Sequence, residues 1–224
     1  CAYAERSPVV MISGSPGLSE RVDNPLLHHM VRDFSTQRDV FEKITVASVI
    51  LDDPHIAERE IDRALRALMQ YKRPIYLEIP RDLVLAPVHV ASTDPPKKTA
   101  CQSDPAALKE AVAEVRGLLS GSERPVILAG AEIHRFGLQD ELTELVQHMN
   151  VPIATTLLGK SVIREDHPLY IGVYGGLVGR EEILEFVENA DCLLTLGTLL
   201  TDVEDVKAHS ILLAAGRTVH ATAD

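Results

Sequence analysis

Residues 125–156 read PVILAGAEIHRFGLQDELTELVQHMNVPIATT. PVILAG (125–130) is a short apolar run closed by a glycine, and VPIATT (151–156) is a second apolar, β-rich run. Between them Leu138, Leu142, Leu145 and Met149 recur at intervals of four, three and four, which is one face of a helix. A strand, an amphipathic helix and a second strand in that order form a crossover unit. Parallel strands need such a connection, so the stretch predicts a parallel sheet with helices against it.

The flanking sequence repeats the pattern. REEILEFVEN (180–189) reads as a helix, CLLTLG (192–197) as a strand and RTVHA (217–221) as a further strand. On the other side Asp104 (or Ser103) caps a helix with Pro105 at its first position, and Leu108, Val112, Val115 and Leu119 mark its apolar stripe. Nearer the start, PVVMI (8–12) reads as a strand buried on both faces, ending at Gly14-Ser15-Pro16-Gly17. Asp53-Pro54 opens a helix over 54–71 with Ile61, Leu65 and Leu68 facing the core, and PIYLEI (74–79) is a second buried strand. Between 80 and 104 periodicity lapses, and prolines fall at 80, 87, 95 and 96. The reading is an α/β chain in three parts: 1–85, a linker over 86–103, and 104–224.

Composition narrows the function. The 224 residues are 46% hydrophobic with a formal net charge of −11, enough apolar content for a core and the wrong sign for nucleic acid or an anionic membrane. No run of 18 apolar residues occurs. Cys1, Cys101 and Cys192 are few and far apart, the usage of reduced thiols in a cytoplasmic protein. The chain opens on Cys1 rather than Met and runs at once into a strand, which reads as a piece of a longer protein.

Candidate chemistry is sparse. YGGLVGREE (174–182) follows an extended stretch and opens a helix, so its N–H groups could cradle a phosphate. It lacks the spacing of a dinucleotide fingerprint, however, and a tight loop feeding a helix suffices to explain it. Ser15 sits in SGSPG, which does not meet the nucleophile-elbow pattern. His134, His148, His167, His209 and His220 stand singly and read as surface or capping residues. His28 and His29, in NPLLHHM (24–30), are adjacent and diverge too far to chelate one metal from a helix. Their position is more informative: they lie on the connection leaving the carboxyl end of a strand, where open α/β sheets bind ligands, and histidine exchanges protons near neutral pH.

Four stretches in the first part, AYAERSPVVMISGSPG, LLHH, FEKITVASVILDDP and EIDRALRALMQYKRPIYLEIPRDLV, resemble the second half of the pyrimidine-binding domain of thiamine-diphosphate-dependent 2-keto acid decarboxylases. The indolepyruvate/phenylpyruvate branch is the nearer in flavour, with the pyruvate decarboxylases next. From 104 onward RPVILAGAEIHRFGL, VPIATTLLGKSVIREDHPLYIGVYGG and ADCLLTLGTLLTD are similar, in order, to the Rossmann-like central domain of the same enzymes. The resemblance implies conversion of an aryl or branched 2-keto acid to an aldehyde and carbon dioxide. Thiamine diphosphate with Mg²⁺ supplies the electron sink, and His28 and His29 assist substrate placement and proton transfer. It also implies that the cofactor-activating glutamate lies before residue 1, and that the Gly-Asp-Gly…Asn motif for magnesium and diphosphate lies after residue 224. The central domain would stop early, the parent would be a homodimer or homotetramer, and the isolated chain would be inactive. Two alternatives remain: an acetolactate-synthase-like carboligase or oxidase of the same superfamily, and a nucleotide-binding Rossmann-like module without chemistry of its own.

Overall fold

The structure, a computed structural model, describes residues 1–28, 30–88, 90, 103–200 and 218–223. Two compact units divide the chain, Cys1–Cys101 and Gln102–Asp224. Most of the stretch 86–103 lies outside the described residues.

The first unit contains β1 (Val10–Ser15), α1 (Thr36–Glu42), β2 (Ala47–Ile50), α2 (Ala57–Tyr71) and β3 (Ile75–Pro80), with the strands in the order β1-β3-β2. All pairs are parallel, with Ile75 opposite both Val10 and Ala47. Alternation along β3 separates two environments. Ile75 and Leu77 pack with Ala47 and Val49 against Ala64 and Leu68 of α2. Tyr76 points the other way and stacks on Phe41 of α1, the ring centroids 4.2 Å apart.

Three details depart from the sequence reading. First, α2 begins at Ala57, because the Asp53 carboxylate accepts from the His55 N–H (2.9 Å) and turns Pro54–Ile56 outside the helix. Second, α1 and β2 have no counterpart in that reading; seven and four residues are too few for a period to show. Third, β1 is not buried on both faces: Ile12 is 61% exposed and Val10 and Met11 are also open. The strand is an edge of the sheet, paired on one side by β3, while the buried cluster of this unit gathers β2 and β3 onto α2.

The second unit adds α3 (Pro105–Ser120), β4 (Pro125–Ala129), α4 (Glu132–Phe136), α5 (Gln139–Met149), β5 (Ile153–Thr156), β6 (Tyr170–Tyr174), α6 (Glu181–Glu188), β7 (Cys192–Leu196) and β8 (Thr218–Ala221). Its sheet is wholly parallel, in the order β6-β5-β4-β7-β8. Both faces are covered, as the continuous apolar strands require. Ile127, Ala129, Ile153 and Leu194 pack with Leu119, Leu142 and Val146 on one face. Val126, Leu128, Ala154 and Leu193 pack with Ile183 and Val187 on the other.

The helix boundaries follow their caps. The Asp104 side chain accepts from the Ala106 and Ala107 N–H groups (2.9 and 2.8 Å), and Pro105 occupies the first turn of α3. Of that helix's stripe only Leu119 is buried, and Leu108 is 53% exposed. Leu138 falls at the N-cap of α5, so Leu142 and Val146 carry the burial there. Among the described residues no helix is long and apolar enough to cross a membrane.

Candidate active site

Ser15 at the end of β1 stands in register with Pro80 at the end of β3, so the connections leaving these strands start from the same edge of the sheet. Pro16-Gly17 leads into a 3-10 turn, Leu18–Arg21. Asp82, just past β3, holds that turn. One carboxylate oxygen accepts from the Leu18 N–H (3.0 Å), and the other accepts from the Ser19 N–H and hydroxyl (both 3.1 Å). The Ser19 N–H leads the influences that hold the Asp82 carboxyl below its ordinary range. A Cβ at residue 17 would sit 2.7 Å from the Asp82 Cγ, so glycine is what lets the carboxylate close on the turn. Glu20 completes the lock by accepting from the Gly17 N–H (2.8 Å) and pairing with Arg81.

Beyond the turn the backbone takes left-handed conformations at Asp23 and Asn24 (φ 65° and 48°), residue types that tolerate them. His28 follows, exposed, in a turn closed by the Met30 N–H donating to the Leu27 carbonyl (3.1 Å). His29 lies outside the described residues. Asp33 ends the connection by accepting from the Ser35 and Thr36 N–H and hydroxyl groups at the start of α1. Sequence reasoning places His28 on this strand-to-helix connection. It misses the groups that hold the connection in place.

Those groups include a buried acid. Glu78, 1% exposed in the middle of β3, accepts from the Tyr76 hydroxyl (2.8 Å) and faces Arg21 at 3.7 Å. Gln37 donates to the Tyr76 oxygen (2.5 Å) and to the Ser13 hydroxyl (2.8 Å). Burial pushes the Tyr76 phenol above its ordinary range, and donation by Gln37 opposes that shift. A charged residue within the apolar run IYLEI is the one visible sign of this network in the sequence.

In the second unit the strand order reverses between β4 and β7, the crevice where open sheets take ligands. Here the backbones close tightly. A Cβ on Gly130 would lie 2.3 Å from the Gly197 carbonyl oxygen and 2.4 Å from the Thr198 Cα. Glu132, 3% exposed, accepts from the Ala223 N–H (2.9 Å) and so ties the start of α4 to the chain beyond β8. Gly130→Ala is expected to cost about 1–3 kcal/mol, as overpacking against backbone does, read as a lowered urea midpoint. An unchanged midpoint would contradict the close approach.

The other candidates have structural roles. In the loop 175–179 the Val178 and Gly179 N–H groups donate within the loop, to the Gly175 and Gly176 carbonyls. His134 bridges the Lys160 carbonyl and Gln139, His167 accepts from the Leu169 N–H, and His220 pairs with Thr195. The Ser15 hydroxyl accepts from Arg21. Cys1 is exposed and Cys192 buried, both as free thiols, and His209 and Cys101 lie outside the described residues. Among the described residues no group of three or more His, Cys, Asp or Glu side chains could hold a metal.

Comparison with known proteins agrees with this architecture. Residues 112–224 match the model of the thiamine pyrophosphate enzyme central domain. Over 201 residues, 90% of the chain and 36% of the relative, the sequence is 42% identical to the indole-3-pyruvate decarboxylase of Azospirillum brasilense. Over 204 residues, again 90% of the chain and 36% of the relative, it is 33% identical to the pyruvate decarboxylase of Candida albicans. The chain thus spans about a third of the length of these curated relatives. The match over residues 112–224, half of the chain and the part that forms most of the doubly covered parallel sheet, shows that the chain belongs to the thiamine pyrophosphate enzyme family, whose central domain it carries.

Proposed function

We propose that the longer protein to which this chain belongs is a non-oxidative 2-keto acid decarboxylase, dependent on thiamine diphosphate and Mg²⁺, that releases an aldehyde and carbon dioxide. The observation that carries the reading is the 42% identity, across 90% of the chain, to a protein named for indole-3-pyruvate decarboxylation. It favours an aryl or branched substrate. In this reading residues 1–85 are the second half of a pyrimidine-binding domain, 86–103 a linker, and 104–224 the central domain. His28 and His29 place the substrate and move protons. The enzyme is cytoplasmic and a homodimer or homotetramer.

Among the described residues no group of three or more His, Cys, Asp or Glu side chains could hold the Mg²⁺. Thiamine diphosphate and Mg²⁺ are held elsewhere in the full-length protein, and the 224-residue chain alone turns nothing over. The test is to supply the full-length protein with both cofactors and assay indolepyruvate, phenylpyruvate and pyruvate. Aldehyde and carbon dioxide from one of them are expected, and no release from any would end the proposal. Flavin absorbance in the purified protein, with carboligation in place of aldehyde release, would move it to the acetolactate-synthase-like branch.

A further inference from the structure

Arg21 is bound more heavily than its place at the end of a short turn requires. Its Nε and Nη2 both donate to the Pro16 carbonyl (3.1 and 2.9 Å), and Nη2 also donates to the Ser15 hydroxyl (2.9 Å). The same nitrogen faces the buried Glu78 carboxylate at 3.7 Å. The guanidinium also stands over the Phe34 ring, 5.6 Å from its centroid. Ser15 and Pro16 precede the connection that carries His28, and Phe34 follows it. One side chain therefore grips both ends of the segment 22–33 and ties them to the central strand of the sheet.

The segment needs such an anchor. Val22, Leu26 and Val31 within it are exposed apolar residues, so burial contributes little to fixing its path. A proton-transferring group must be placed to within about half an ångström of its working position. A guanidinium can supply that placement, because its rigid fork of donors serves several acceptors while its flat face rests on a ring. An ammonium cannot do both.

We infer that Arg21 is a positioning residue: by clamping Ser15, Pro16, Glu78 and Phe34 it sets where the His28 imidazole stands at the carboxyl edge of the sheet. This rests on the proposed role of His28 in decarboxylation. Arg21 itself touches no reacting atom.

The test combines Arg21→Met and Arg21→Lys with His28→Ala in the full-length, cofactor-loaded protein. Lysine keeps a positive charge opposite the buried Glu78, and so preserves folding if methionine does not, but it cannot hold the acceptors together. With His28 present, either variant should lower kcat by on the order of tenfold to a hundredfold, as small misplacements do, with KM little changed. In the His28→Ala background the same substitutions should have almost no further effect. A general structural role would slow both backgrounds alike. Independently of turnover, amide hydrogen exchange in residues 22–33 of the Arg21→Lys chain should quicken while that of β3 does not. Full activity in Arg21→Lys, equal slowing in both backgrounds, or unchanged exchange would overturn the clamp. Full activity in His28→Ala alone would instead remove the role of His28 on which the clamp depends.

Discussion

Replacing His28 with alanine in the full-length protein is expected to lower kcat for the 2-keto acid by ~10²-fold or more, the scale at which a positioned proton donor contributes. Folding should be almost untouched, because His28 is exposed and surface substitutions typically stay within about 0.5 kcal/mol. The two readouts separate catalysis from stability: steady-state kinetics should fall while the thermal and urea midpoints hold. His29→Ala is expected to act on turnover in the same direction. Rates near those of the unaltered protein in both variants would return the pair to a polar loop.

Ile127→Ala is expected to remove about 2–5 kcal/mol of stability, the usual cost of emptying a fully buried aliphatic site. Ile127 is 0% exposed at the middle of β4, between β5 and β7, and packs into the cluster holding Leu119, Leu142, Val146 and Leu194. Against the roughly 5–15 kcal/mol of a typical domain that is a large share. Urea unfolding of the 224-residue chain measures it, with Leu108→Ala as the control. Leu108 belongs to an apolar stripe in the sequence but is 53% exposed, so its truncation should change stability by no more than about 0.5 kcal/mol. A loss below about 1 kcal/mol at Ile127, or an equal loss at Leu108, would contradict this distribution of the core.

Most of the second unit is legible in the sequence because its longer helices show their period and its caps are local; α4, five residues long, has no counterpart in that reading. Asp104 reaches the N–H groups of Ala106 and Ala107, two and three residues on, and such a signal is complete within one stretch of chain. The first unit is harder. The apolar run of β1 resembles that of β3, yet β3 lies between two strands and β1 has one neighbour, a difference set by topology that PVVMI does not contain. The candidate site divides the same way. The placement of His28 follows from a strand, a Gly/Pro turn and a short distance along the chain. Its supports are remote: Asp82 lies 64 residues beyond Leu18, and Glu78 meets Arg21 only because β1 and β3 pair. Nothing near either residue announces the partner.

The open outer side of β1 also bears on how copies of this chain behave in concentrated solution. Val10, Met11 and Ile12 offer an apolar strand edge that nothing pairs among the described residues, a surface on which two molecules can adhere. Against that adhesion stands a formal net charge of −11 at pH 7, which repels like molecules at a distance. The two act over different ranges. Adhesion requires contact, whereas repulsion extends about 30 Å in 0.01 M salt and about 10 Å in 0.1 M. Dilute buffer therefore keeps the edges apart, and physiological salt lets them meet: the colloidal stability of the chain is governed by ionic strength as much as by its fold.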